Sequence, residues 1–93
     1  MVVGLLTVEM HVPGSHSLKD KRMVLRRVKD RLKKFNVAVS EIDYHDVWQR
    51  SLIAAVTVSG DRGHAEQVLQ SVERESASLL GGMLVDSTTE WLA

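Results

Sequence analysis

Hydrophobic positions along this chain switch between a period of two and a period near 3.6, and the switches mark out its elements. Residues 2–12 alternate: Leu6, Val8, Met10 and Val12 fall on one side, Leu5, Thr7, Glu9 and His11 on the other, which predicts a half-buried strand. Pro13-Gly14-Ser15 supplies a turn. Ser17 then stands as a helix N-cap, with Asp20 three residues on completing a capping-box arrangement. Beyond it Leu18, Leu25, Val28, Leu32 and Phe35 recur at sevens, threes and fours, the buried stripe of an amphipathic helix that reaches about Phe35 and stops at Asn36.

Residues 37–44 alternate again, Val37 and Val39 against Ala38, Ser40 and Ile42. The polar stretch Asp43-Tyr44-His45-Asp46 leads through Trp48-Gln49-Arg50 into residues 51–58, a nearly continuous apolar run of the kind a central strand shows. Ser59-Gly60-Asp61 caps a second helix expected from about Arg62 to Ser76, burying Ala65, Val68, Leu69 and Val72. Gly81-Gly82 breaks the chain, and residues 83–91 close it as a last strand. The order β-α-β-β-α-β predicts one α+β domain over residues 1–93 with the ferredoxin-like split arrangement. Its four-stranded antiparallel sheet has order 4-1-3-2, and both helices share one face because each has a single apolar stripe. That fold hosts many unrelated activities and names none of them.

The topology does say which loops meet. One edge gathers the 12–17 turn, the 43–50 hairpin and the 77–83 connection, and with them His11, His16, His45, Asp43 and Asp46. Three imidazoles and two carboxylates are the donor types for a divalent ion or an acid–base pair, although the spacing matches no ligand motif. His11, His16 and His45 are therefore the weaker candidates, and no cofactor is implied. There is no Gly-x-Ser-x-Gly elbow and no glycine-rich phosphate cradle. Acylphosphatases share the size and topology, but their glycine-containing loop ending in arginine is absent from residues 11–17.

Charge changes the picture more. The 93 residues carry a net charge of zero, yet residues 17–35 hold nine of the twelve Lys and Arg against Asp20 and Asp30. That segment is +7 and residues 36–93 are −6, a segregation that suggests a polyanionic partner or an acidic protein surface. At roughly 100° per residue from Leu18, the apolar stripe occupies roughly 240–360°. Arg22, Arg26, Lys29 and Lys33 fall at roughly 20–80°, a cationic ridge about 16 Å long beside it. Lys21 falls at roughly 300°, inside the stripe, where its stem is expected on the core with the ammonium reaching out past the first turn. A helix that is merely solvated would show the same charges. Tyr44 and Trp48 are the only aromatic residues near the hairpin and the candidates for stacking on a base; the first and third strands carry none, which excludes the RRM mode.

Composition sets the remaining bounds. At 44% hydrophobic and 26% charged residues the chain reads as globular, and without cysteine it has no disulfides, thiolate metal sites or thiol nucleophile. Missing disulfides in a small domain, and an amino terminus that reaches Glu9 without a basic signal region, point to the cytoplasm. No apolar run approaches the ~20 residues of a membrane span. Val3, Leu5 and Thr7 would lie on the sheet face no helix covers, so a homodimer through that face or an edge strand is expected.

His11-Val12-Pro13, Ser17-Leu18-Lys19-Asp20-Lys21-Arg22 and Asp46-Val47-Trp48-Gln49-Arg50 together resemble the YlxP-like family of small bacterial proteins, over nearly the whole chain. The resemblance implies the ferredoxin-like fold. That family's genes often lie among those for transcription elongation, translation initiation and ribosome maturation factors, which implies an RNA- or ribosome-related role, and it supplies no catalytic residues. The expected function is thus an accessory RNA- or ribosome-binding module without catalysis. Arg22, Arg26, Lys29 and Lys33 would contact phosphates, with Lys19 and Lys21 assisting. One alternative is a protein-interaction module that meets an acidic partner or itself. The other is a metal-dependent or hydrolytic enzyme at the histidine edge.

Overall fold

Each period-two segment forms a strand and each 3.6-period segment a helix in the computed structural model, which describes residues 1–93. The elements are β1 (Val2–His11), α1 (Leu18–Leu32), β2 (Ala38–Asp43), β3 (Arg50–Ser59), α2 (Arg62–Leu80), a short 3₁₀ turn (Gly81–Met83) and β4 (Leu84–Trp91). All strands pair antiparallel in the order β2-β3-β1-β4, which is the predicted 4-1-3-2 read from the other end. The accessible surface of 5416 Å² matches the roughly 5,400 Å² expected of a compact monomer of this mass.

Register decides which face is buried. Leu6, Val8 and Met10 of β1 stand opposite Ala55, Ile53 and Ser51 of β3, and all six are buried beneath the helices. Leu25, Val28 and Leu32 of α1 and Leu69, Val72 and Leu80 of α2 complete the core. Gly4 lets α2 approach: a Cβ there would lie 2.7 Å from both Leu69 Cδ1 and the Trp91 ring. The alternate residues Val3, Leu5 and Thr7, with Leu52, Ala54, Val56 and Val58 of β3, form the face without helices.

The helix ends refine the sequence reading. Ser17 Oγ accepts from the backbone N–H of Asp20 at 3.2 Å, as expected of an N-cap. The Asp20 carboxylate reaches one residue further back than a capping box requires, accepting from the N–H of His16 at 3.1 Å. The second helix runs four residues past the expected Ser76. Ser76 buries its hydroxyl by donating to the Val72 carbonyl at 2.8 Å, and Leu80 is buried in the core, so the stop comes at Gly81 with φ +54°.

Two of the three loops expected to cluster meet. Val12 N–H donates to the Gln49 carbonyl at 2.9 Å, and Gln49 Nε2 to the Ser15 carbonyl at 3.4 Å, which joins the 12–17 turn to the β2–β3 hairpin.

Candidate nucleic-acid interface

The four ridge residues come together as one surface. Arg22, Arg26, Lys29 and Lys33 line a single open groove along α1, with Leu25 at its floor and Asp30 and Glu41 beside it. The spacing of three and four residues places them there, because the intervening Leu25, Val28 and Leu32 turn the adjoining side of the helix into the core. Arg22, Arg26 and Lys29 have no carboxylate within ion-pair distance. Lys33 meets only Asp30, at 3.4 Å with both side chains in solvent, a contact worth little. Lys19 is exposed at the start of the helix. Two further cations of this segment are spent differently: Arg31 at 3.0 Å and Lys34 at 3.3 Å both hold Glu75 of α2, whereas Arg27 is exposed and has no carboxylate partner. The hydrogen bond from Arg31, then that from Lys34, keeps the Glu75 carboxyl below the usual carboxylate range.

Lys21 departs from the expectation. Its ammonium does not emerge past the first turn; the residue is only 1% exposed. Nζ donates to the carbonyls of Tyr44 at 2.6 Å, His45 at 3.3 Å and Arg50 at 3.3 Å, and pairs with Glu41 Oε2 at 3.1 Å. That same carboxylate oxygen accepts from Ser51 Oγ at 2.5 Å. The physical reason is geometric: a Cβ inside the apolar stripe points at the sheet, and a buried ammonium is tolerable only with acceptors close around it. Every buried side-chain polar atom has a partner. Lys21 therefore fastens the β2–β3 hairpin to α1 and does not reach the surface where a phosphate would bind. Glu41 and Ser51 were not singled out by sequence reasoning. A signal existed for Glu41, which follows Val37 and Val39 at the period of two and so falls on the covered face of β2, opposite Ile53.

The two stacking candidates differ. The Arg50 guanidinium lies 4.1 Å from the Tyr44 ring centroid, occupying one face of that ring. Arg50 is fixed in turn by Glu9 at 3.0 Å, and this hydrogen bond raises its pKa above the ordinary value. Trp48 is 52% exposed at the hairpin tip, beside the exposed Val47.

The histidines share the rim without converging. His45 Nε2 lies 3.1 Å from the Glu41 carbonyl, His11 stands at the exposed end of β1 opposite Arg50, and His16 follows the turn. No three histidine or carboxylate side chains stand close enough together to hold a metal ion, so His11, His16 and His45 do not form the ligand set their shared edge suggested. No helix is long and apolar enough to cross a membrane.

Fold and topology define this chain as a ferredoxin-like domain with a cationic groove along its first helix. It belongs to the DUF503 family, described as a protein of unknown function, whose model matches residues 3–89. Over 72 residues it is 42% identical to the uncharacterized protein YlxP of Bacillus subtilis, a span covering 76% of this chain and 78% of that one. Among solved structures it is similar in fold to the de novo designed protein Foldit4, with TM-score 0.58 and 13% identity over 99% of this chain and 96% of that chain. SnoaB, a cofactor-independent oxygenase from Streptomyces nogalater, superposes with TM-score 0.59 and 13% identity over 100% and 93%. A C-terminal segment of the alpha subunit of aIF2 from Pyrococcus abyssi gives TM-score 0.52 and 22% identity, over 97% of this chain and 49% of that one. At such identities these three establish the fold alone.

Proposed function

We propose that this chain is an accessory RNA- or ribosome-binding module of the cytoplasm, without catalysis of its own. One observation carries the reading: four cations line one groove, and three of them have no carboxylate partner. Like charges at i,i+4 cost helix stability, so Arg22 with Arg26 and Lys29 with Lys33 are an expense that a polyanion bound in the groove would offset. Lys19 assists from the helix N-terminus. Contacts of this kind go to phosphates and fix position without reading sequence. The test is recovery of bound partners from cell lysate with and without nuclease, followed by sequencing of the RNA. RNA-dependent recovery supports the reading. Recovery of proteins that survives nuclease digestion favours a protein-interaction module with an acidic partner.

A second observation favours self-association alongside it. The open sheet face is aliphatic along β3 (Leu52, Ala54, Val56, Val58) and at Val3 and Leu5 of β1, and Val58 and the β2 residue Ile42 are about half exposed. Four strands over eight residues span roughly 500 Å² per copy, so two copies face to face would reach about the 1,000 Å² that a stable interface needs. A second copy of the chain is the proposed occupant. Light scattering at micromolar concentration should return twice the 10.4 kDa chain mass; a single chain mass would refute the dimer.

A further inference from the structure

Trp48 differs from the other aromatic residues in standing half exposed on a hydrogen-bonded frame. Trp91 is covered by Arg62, whose guanidinium lies 3.8 Å from its ring; Phe35 packs against the core; and Tyr44 carries Arg50. The hairpin behind Trp48 is held from several directions. Lys21 grips the carbonyls of Tyr44, His45 and Arg50, and the Gln49 carbonyl takes the N–H of Val12. Val47 N–H closes the turn onto the Tyr44 carbonyl at 3.0 Å. Tyr44 itself is forced to φ +64°, the one residue other than glycine in the left-handed region. Such a conformation persists only where its surroundings over-determine it, and such outliers concentrate at binding sites. A large aromatic ring left half exposed on so fixed a support has already met the ordering cost that a flexible loop would meet on binding.

We infer that Trp48 is a preformed stacking post for an unpaired nucleobase, which makes the ligand of the groove single-stranded or looped RNA rather than duplex. This rests on the RNA reading above. Two features select a base as the occupant. Lys21 fastens the hairpin that carries Trp48 to the first turn of α1, one residue before Arg22 opens the ridge, so a strand whose phosphates follow the ridge towards the helix N-terminus runs on towards that hairpin. Asp46 shares the shallow depression around Trp48, and its carboxylate repels a phosphate while leaving a neutral base free to stack. The ridge then holds the backbone and the post holds a base. Stacking tolerates any base, so the pair recognises strand state rather than sequence.

The test uses the full chain carrying Trp91→Phe, which leaves Trp48 as its only tryptophan. The probes are a short oligoadenylate and an RNA duplex with the same number of phosphates. Oligoadenylate should quench the Trp48 fluorescence and the duplex should not. Trp48→Ala should weaken oligoadenylate binding about 5- to 100-fold with an unchanged salt dependence, and Trp48→Phe should keep most of the affinity. Salt-sensitive binding of oligoadenylate without quenching, or with no effect of Trp48→Ala, overturns the stacking post and leaves the groove reading standing. If the parent binds neither RNA at low salt, the groove reading fails and the post falls with it.

Discussion

Lys21 and Arg22 are consecutive residues of α1 with the same formal charge, yet they belong to regions held by different physics. Lys21 sits where water is excluded, and its charge is balanced by one carboxylate and three backbone carbonyls drawn from a hairpin twenty or more residues away. Arg22 is exposed and opens a row of cations with little to balance them. A rotation of roughly 100° about the helix axis separates the two roles. The difference shows that a basic helix cannot be read by counting charges. A cation inside the apolar stripe holds the fold together, while one beside it is available to a partner.

The sharpest way to break that comparison is Lys21→Met. It leaves the largely covered Glu41 carboxylate without its cation and removes the donor from three carbonyls, so about 3 kcal/mol of stability should be lost. Urea denaturation measures it, and a loss below about 1 kcal/mol would mean the cage is not structural. Adding Glu41→Leu removes the stranded charge. The double variant should therefore recover part of the loss, with the two sites coupled by about 0.5–3 kcal/mol.

The ridge should behave in the opposite way. Changing Arg22, Arg26, Lys29 and Lys33 together to Gln keeps helix propensity and relieves two like-charge i,i+4 pairs of about 0.2–0.5 kcal/mol each. The expected urea midpoint is equal to or slightly above that of the parent. A clear fall would make these residues structural, like Lys21. The smallest effect belongs to Glu75, held by Arg31 and Lys34 on the other side of α1. Its folded pKa is depressed, so its contribution is present above the unfolded carboxylate pKa and lost as pH falls through the folded value. The stability difference between the parent and Glu75→Gln should accordingly be largest near neutral pH and vanish in acid. A difference that stays constant with pH would remove the ion pairs from the account.

Element order, sheet order and the covered face were all legible in the sequence, because hydrophobic period reports burial directly and this chain keeps its periods clean. The end of α2 was not. Ala77 and Ser78 carry little periodic signal, and only the packing of Leu80 shows that the helix continues to Gly81. The ridge was legible from helical angles alone. The cage was half legible: the angle placed Lys21 in the apolar stripe, but the acceptors that make burial tolerable are backbone carbonyls, which leave no trace in side-chain pattern. The histidine edge shows the complementary limit, since topology brought loops together while the side chains they carry form no cluster able to hold a metal ion.

The central claim, that the ridge is a phosphate-binding surface, is tested most directly by RNA affinity as a function of salt, for the parent and the quadruple Gln variant. Four phosphate contacts predict a slope of log affinity against log salt of roughly −3.6 on duplex-like sites and a somewhat shallower one on single strands. The variant should bind every RNA more weakly, with the slope flattened towards zero. A quadruple variant that binds ribosomal RNA as tightly as the parent at low salt would show the ridge to be a solvated helix face and contradict the account.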